Sequence, residues 1–150
     1  MSFMTFMIRE AVYDDLDGLL KLYTHLHGNP IPEKSESLAK LWDDIMADRS
    51  HHIIAAEEDG KIVSSCVCVI IPNLTHGQQP YAFVENVVTH PDCRKKGLAT
   101  ACLEYAGKIA EEADCYKIML LTGSKEESTL RFYERAGFNR NDKTAFIRCL

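Results

Sequence analysis

The stretch Val87-Val88-Thr89-His90-Pro91-Asp92-Cys93-Arg94-Lys95-Lys96-Gly97-Leu98-Ala99-Thr100 holds most of the chemistry this sequence offers. A β-branched run stops at Pro91, which brings no amide hydrogen to a ladder, and a basic turn leads into an apolar periodicity of helical spacing. The amides that open a helix lack partners within it, and together with the positive end of the helix dipole they form an anion site. Gly97 lets a phosphate approach the backbone closely, and Arg94, Lys95 and Lys96 add positive charge. A multiply phosphorylated ligand suits such a turn, and so, on these residues alone, does plain solvent. Two other nucleotide motifs are excluded. The Gly-Lys pairs at 60/61 and 107/108 have Ala55 and Cys102 where a P-loop needs its first glycine, and no G-x-G-x-x-G occurs.

Glu85 is the acid within the apolar run Tyr81 to His90, where desolvation would raise its pKa toward that of a useful general base. A structural ion pair is equally compatible with it. His90, before the proline, is a second candidate base. His25-x-His27 and His51-His52 have no third ligand at metal spacing, and H-E-x-x-H is absent, so no metal is expected. The absence of G-x-S-x-G argues against a nucleophile-elbow hydrolase.

The whole chain sets the background for that turn. It has 150 residues, 46% of them hydrophobic, the size of one domain spanning 1–150 with a real core. Acidic residues number 22 against 17 basic ones, a formal charge of −5, which is the wrong balance for a general nucleic-acid binder. No apolar run approaches the ~20 residues of a membrane span, and the N-terminus lacks the features of a signal peptide, so a cytoplasmic protein is expected. The 6 cysteines are scattered through strand-like and helix-like segments, which suits a reducing compartment. Cys66 and Cys68, two apart in a strand, read as core filler on one face.

The elements that must carry the turn follow from periodicity. Met7 to Ala11 reads as a strand, Asp14 as the N-cap of a helix with Leu16, Leu19, Leu20, Tyr23 and Leu26 on one face, and about Ser37 to Asp48 as a second helix. His52–Glu57 and Lys61–Ile71 form a hairpin around Glu58-Asp59-Gly60, and Tyr81 to His90 is the central strand. Leu98 to Ala113 is an amphipathic helix, and Tyr116 to Leu121 a strand of the kind buried on both faces. Ser124 and Glu127 form a capping box for a helix ending at Gly137, and Phe138 to Cys149 supplies one or two edge strands around the turn Asn139 to Lys143. A mixed sheet covered by helices results. The segments His25 to Ser37 and Asn73 to Pro80 are expected to face an acceptor.

At this point the sequence resembles a family. Arg94-x-x-Gly97-x-Ala99, with V-x-x-P before it, is similar to the phosphate turn [RQ]-x-x-G-x-[GA] of the GNAT superfamily of acyl-CoA-dependent N-acetyltransferases. Phe132-Tyr133 and Gly137-Phe138 match its second signature, F-Y-x-x-x-G-F, and I-R-E-A…D-L resembles its first strand and helix. The resemblance implies an α/β (α+β) fold, a mixed and mostly antiparallel sheet of six to seven strands flanked by about four helices. It implies acetyl-CoA (coenzyme A) as co-substrate and direct attack by a small-molecule or peptide amine, with a possible homodimer. A non-catalytic acyl-CoA-binding module of the same fold is the alternative.

Carried over residue by residue, main-chain groups of Val87, Val88 and Thr89 meet pantetheine and the acyl group. The amides from Lys95 through Gly97, Leu98, Ala99 and Thr100 hold the pyrophosphate, supplemented by Arg94, Lys95 and Lys96. Tyr133 stands where the family places the group that meets the departing sulfur. Full proton transfer from a tyrosine of pKa ~10 to a thiolate whose acid has pKa ~8.5 is uphill by about 2 kcal/mol, so a hydrogen bond is the safer role. An amine of pKa ~10.4 is only about one part in a thousand neutral near pH 7.4, so a base or water relay is needed, with Glu85 the candidate. The chain departs from the pattern at Glu126, where the family often has asparagine, and at Ala99 in place of glycine.

Overall fold

The computed structural model describes residues 5–150. Five strands stand in the order β1 (Phe6–Glu10), β2 (His51–Glu58), β3 (Lys61–Ile71), β4 (Tyr81–Thr89) and β5 (Ile118–Leu120). The first three junctions are antiparallel and the last, reached through helix α3 (Leu98–Glu112), is parallel. Helices α1 (Leu16–Tyr23), α2 (Glu36–Ala47) and α4 (Glu127–Arg135) complete the frame, close to the boundaries that periodicity predicts.

The two-residue repeat of a strand sends alternate side chains to opposite faces, and the core divides accordingly. Ile54, Ala56, Cys66, Cys68 and Val84 pack under Leu98, Cys102 and Ala106 of α3, while Ile53 and Val67 meet Leu19 of α1 and Trp42 of α2. Trp42 donates its indole N–H to the carbonyl of Tyr13 at 2.9 Å, so that the ring is buried without an orphaned donor. The predicted cysteine filler lies where expected. Cys66 and Cys68 are fully buried, and burial pushes the Cys68 and Cys102 thiols up to about 11, so all three stay protonated. The Asp59-Gly60 tip turns with φ of 51° and 77°, the left-handed pair a tight hairpin requires.

Three expectations are corrected. The sheet has five strands rather than six to seven, because Phe138 to Cys149 forms no strand among the described residues. Arg140 binds Glu127 and Glu134 and ties the turn after Gly137 to α4, and beyond it Phe146 and Ile147 stand 91% and 71% exposed. An alternating apolar pattern without a partner ladder does not make a strand. Strand β5 is shorter than Tyr116 to Leu121 and half-buried throughout, since it lies at the sheet edge. The capping box at Ser124 does not form: α4 begins at Glu127 with Glu126 as N-cap, and Ser124 Oγ instead accepts from the Glu126 amide at 3.2 Å. Gly137 does take the left-handed position after that helix, with φ of 100°.

Candidate active site

The site begins with a change of register in the central strand. On β3, Ser65 pairs with Val88 and Val67 with Glu85, so Asn86 and Val87 together oppose Cys66, and Asn86 takes a left-handed φ of 52°. Such a bulge twists the strand and terminates local pairing, and asparagine is among the residues that tolerate this conformation. On the other side, β5 pairs with β4 only from Ala82 to Val84. Beyond Val84 the two parallel strands part, and among the described residues no strand lies beside the β5-facing edge of β4 from Glu85 to Thr89. Ser64 locks the far end: its Oγ lies 3.1 Å from the Val88 carbonyl and 2.8 Å from Thr89 Oγ1.

The parting strands open a cavity of about 810 Å³, within the range of small-molecule sites. Its floor is the edge of β4, one wall is the exit of β5 with Tyr133 of α4, and the other is His25 to His27 after α1. One end is the basic turn. There Lys95 and Gly97 have φ of 62° and 80°, Gly97 is the N-cap of α3, and the first helical bond runs from Ala101 N to Gly97 O at 3.0 Å. The amides of Gly97, Leu98, Ala99 and Thr100 precede that bond and have no partner within the helix. A Cβ added at Gly97 would meet nothing within 4 Å, so the glycine is needed for its backbone angle and for access, not for packing.

The predicted residues gather there with two exceptions, Lys96 and His90. Glu85, Val87, Val88, Thr89, Arg94, Lys95, Gly97, Leu98, Ala99, Thr100 and Tyr133 all line the cavity. Lys96 does not; its Nζ lies 3.6 Å from Glu58, a buried carboxylate at the end of β2. Tyr133 is half-buried, its ring set edge-on to Phe132 at 5.0 Å, and burial first, then nearby Cys66, raises its hydroxyl above the ordinary 10. Glu85 is exposed, so the desolvation expected of it is missing. His90 is also outside the lining, with Nδ1 accepting from the Asp92 amide at 3.1 Å. Glu126 is exposed and takes no part in the cavity wall.

Sequence reasoning missed His25, His27 and Glu58 as individual residues. His25 lines the cavity and stands edge-on to His90 with ring centroids 4.7 Å apart. The H-x-H spacing after α1, inside the segment His25 to Ser37 expected to face an acceptor, is the signal that points to the two histidines.

A family model described as "Acetyltransferase (GNAT) family" matches residues 16–138 of this chain. A glucosamine 6-phosphate N-acetyltransferase from Trypanosoma brucei brucei is 31% identical over 139 residues, covering 91% of this chain and 90% of the relative. Among solved structures, a putative acetyltransferase from Agrobacterium tumefaciens superposes with a TM-score of 0.88 at 36% identity, covering 95% of this chain and 99% of that one. The aminoglycoside N-acetyltransferase AAC(6')-Iy, solved in complex with CoA, shares the fold at a TM-score of 0.80 and 16% identity, with 99% and 97% covered.

Proposed function

The chain belongs to the acetyltransferase (GNAT) family, and we propose that it moves an acetyl group from acetyl-CoA to an amine of a small molecule or peptide by direct attack in a ternary complex. The observation that carries this reading is the free edge of β4 beyond Val84, which opens into the same cavity as the unpartnered amides of α3. A ligand with a diphosphate at one end and an amide-bearing arm matches both features. Main-chain groups of Val87 and Thr89 on the open edge hold the arm, while those of Val88 turn to β3, where its carbonyl accepts from Ser64 Oγ, and the amides from Gly97 to Thr100 hold the diphosphate. Arg94 and Lys95 line that end of the cavity and supply positive charge.

Two proton movements remain. The amine must arrive neutral, and Glu85, exposed at the cavity, takes its proton through water. Attack forms the C–N bond and sends an electron pair onto the thioester oxygen, where the strand amide near Val88 donates; losing such a donor typically costs ~10²- to 10³-fold in rate. Collapse breaks the C–S bond as the nitrogen gives up its remaining extra proton to water, and the Tyr133 hydroxyl holds the departing thiolate by a hydrogen bond until it takes a proton from solvent. Burial keeps that hydroxyl protonated, as a donor must be.

The Trypanosoma relative directs the choice of acceptor, and glucosamine 6-phosphate heads the amines to test. Incubation with acetyl-CoA and a panel of primary amines is expected to release free CoA only when an amine is present. Initial rates against both substrates should give intersecting lines. Parallel lines with a burst of acetylated protein would contradict direct attack, and CoA binding without turnover on any amine would contradict transfer.

A further inference from the structure

Glu58 stands behind the phosphate turn. Its side chain is 7% exposed, and among the described residues it is the acidic side chain that is buried. A buried carboxylate is costly unless compensated, and this one has two partners from the turn: Cys93 Sγ lies 3.6 Å from Oε2, and Lys96 Nζ lies 3.6 Å from Oε1. The contact is tertiary, since Glu58 pairs with Lys61 and Phe6 in the sheet and so is mounted on a rigid element. Between its two partners lie Arg94 and Lys95, which line the cavity, and Lys95 has the left-handed φ of 62°. A non-glycine residue in that region persists where its surroundings hold it.

We propose that Glu58 is a positioning residue for the cofactor site: its carboxylate grips Cys93 and Lys96 from behind and thereby sets the path of the turn and the direction of the amides that open α3. The arrangement divides the basic residues by task. Lys96 balances the buried carboxylate, while Arg94 and Lys95 remain at the cavity. Desolvation, opposed by Lys96 and aided by Glu58, pushes the Cys93 thiol up, so it stays a donor to the carboxylate.

The inference rests on the acetyl-CoA reading, and calorimetric titration with CoA separates the two. Glu58→Gln keeps the shape and removes the charge. It is expected to raise the Kd for CoA and the KM for acetyl-CoA about tenfold with kcat within about twofold, and Lys96→Gln should do the same. The double variant should be no weaker than the worse single one, as residues acting through one contact require. Additive losses, an unchanged Kd in Glu58→Gln, or a lower kcat at constant KM overturns the proposal. If Glu58→Gln does not fold, Glu58→Asp, which keeps the charge and withdraws both oxygens, should show the same rise; an unchanged Kd there overturns it. A wild-type chain that binds no CoA overturns the acetyl-CoA reading and this inference together, whereas wild-type binding with indifferent variants overturns this inference alone.

Discussion

Tyr133→Phe is expected to lower kcat about 10²-fold and to leave the affinity for CoA within about twofold of wild type, the scale of a lost hydrogen bond to a charged group or a lost acid. The substitution removes one oxygen and keeps the ring, so the edge-on contacts with Phe132 at 5.0 Å and Phe138 at 6.4 Å survive. Folding should therefore be spared. What is lost is the donor facing the leaving sulfur. Because burial raises the Tyr133 hydroxyl above its ordinary 10, the group is neutral at and below that pH, and its contribution to kcat should not titrate anywhere in the physiological range. Single-turnover rates and CoA calorimetry on the same preparations separate the two quantities. A fall in CoA affinity parallel to the fall in rate would make Tyr133 a binding residue only.

Ala99→Glu should abolish detectable CoA binding while leaving the fold intact or slightly stabler. Ala99 lies in the first turn of α3 and lines the cavity. An acidic side chain there suits the helix dipole, worth about 0.3–1 kcal/mol. The same carboxylate competes for the amides proposed to hold the diphosphate and repels it. Two unit charges ~4 Å apart at an effective dielectric near 20 interact by about 4 kcal/mol, on the order of a 10³-fold loss of affinity. Opposite signs for stability and binding are the useful signature. A melting temperature at or above wild type with CoA affinity retained would place the diphosphate elsewhere.

The parts of the site legible in the sequence are those set by local rules. The α3 periodicity, the Asp59-Gly60 tip, the basic turn ending in Gly97 and the left-handed Gly137 depend on residues close in sequence, and each appears where periodicity or turn chemistry puts it. The family motifs added Tyr133, which local rules alone leave as a packing residue. What could not be read depends on pairing between distant segments. The bulge at Asn86 arises from the register of β3 against β4, and in Val84-Glu85-Asn86-Val87 the asparagine permits it without specifying it. The apolar neighbours of Glu85 predict a desolvated carboxylate, yet the strand carrying it loses its β5 partner just there. Thr144 to Cys149 has strand-like composition and no ladder to join among the described residues. Charge along the sequence groups Lys96 with Arg94 and Lys95, while the carboxylate it reaches, Glu58, comes from the tip of the distant β2–β3 hairpin.

Crystallisation with CoA at saturating concentration puts the central proposal to its plainest test. Expected is a diphosphate with oxygens about 2.7–3.2 Å from the amide nitrogens that open α3, and an arm lying along the free edge of β4 at Val87 to Thr89. CoA bound at another surface, or a diphosphate held by side chains alone with those amides pointing to solvent, would contradict it.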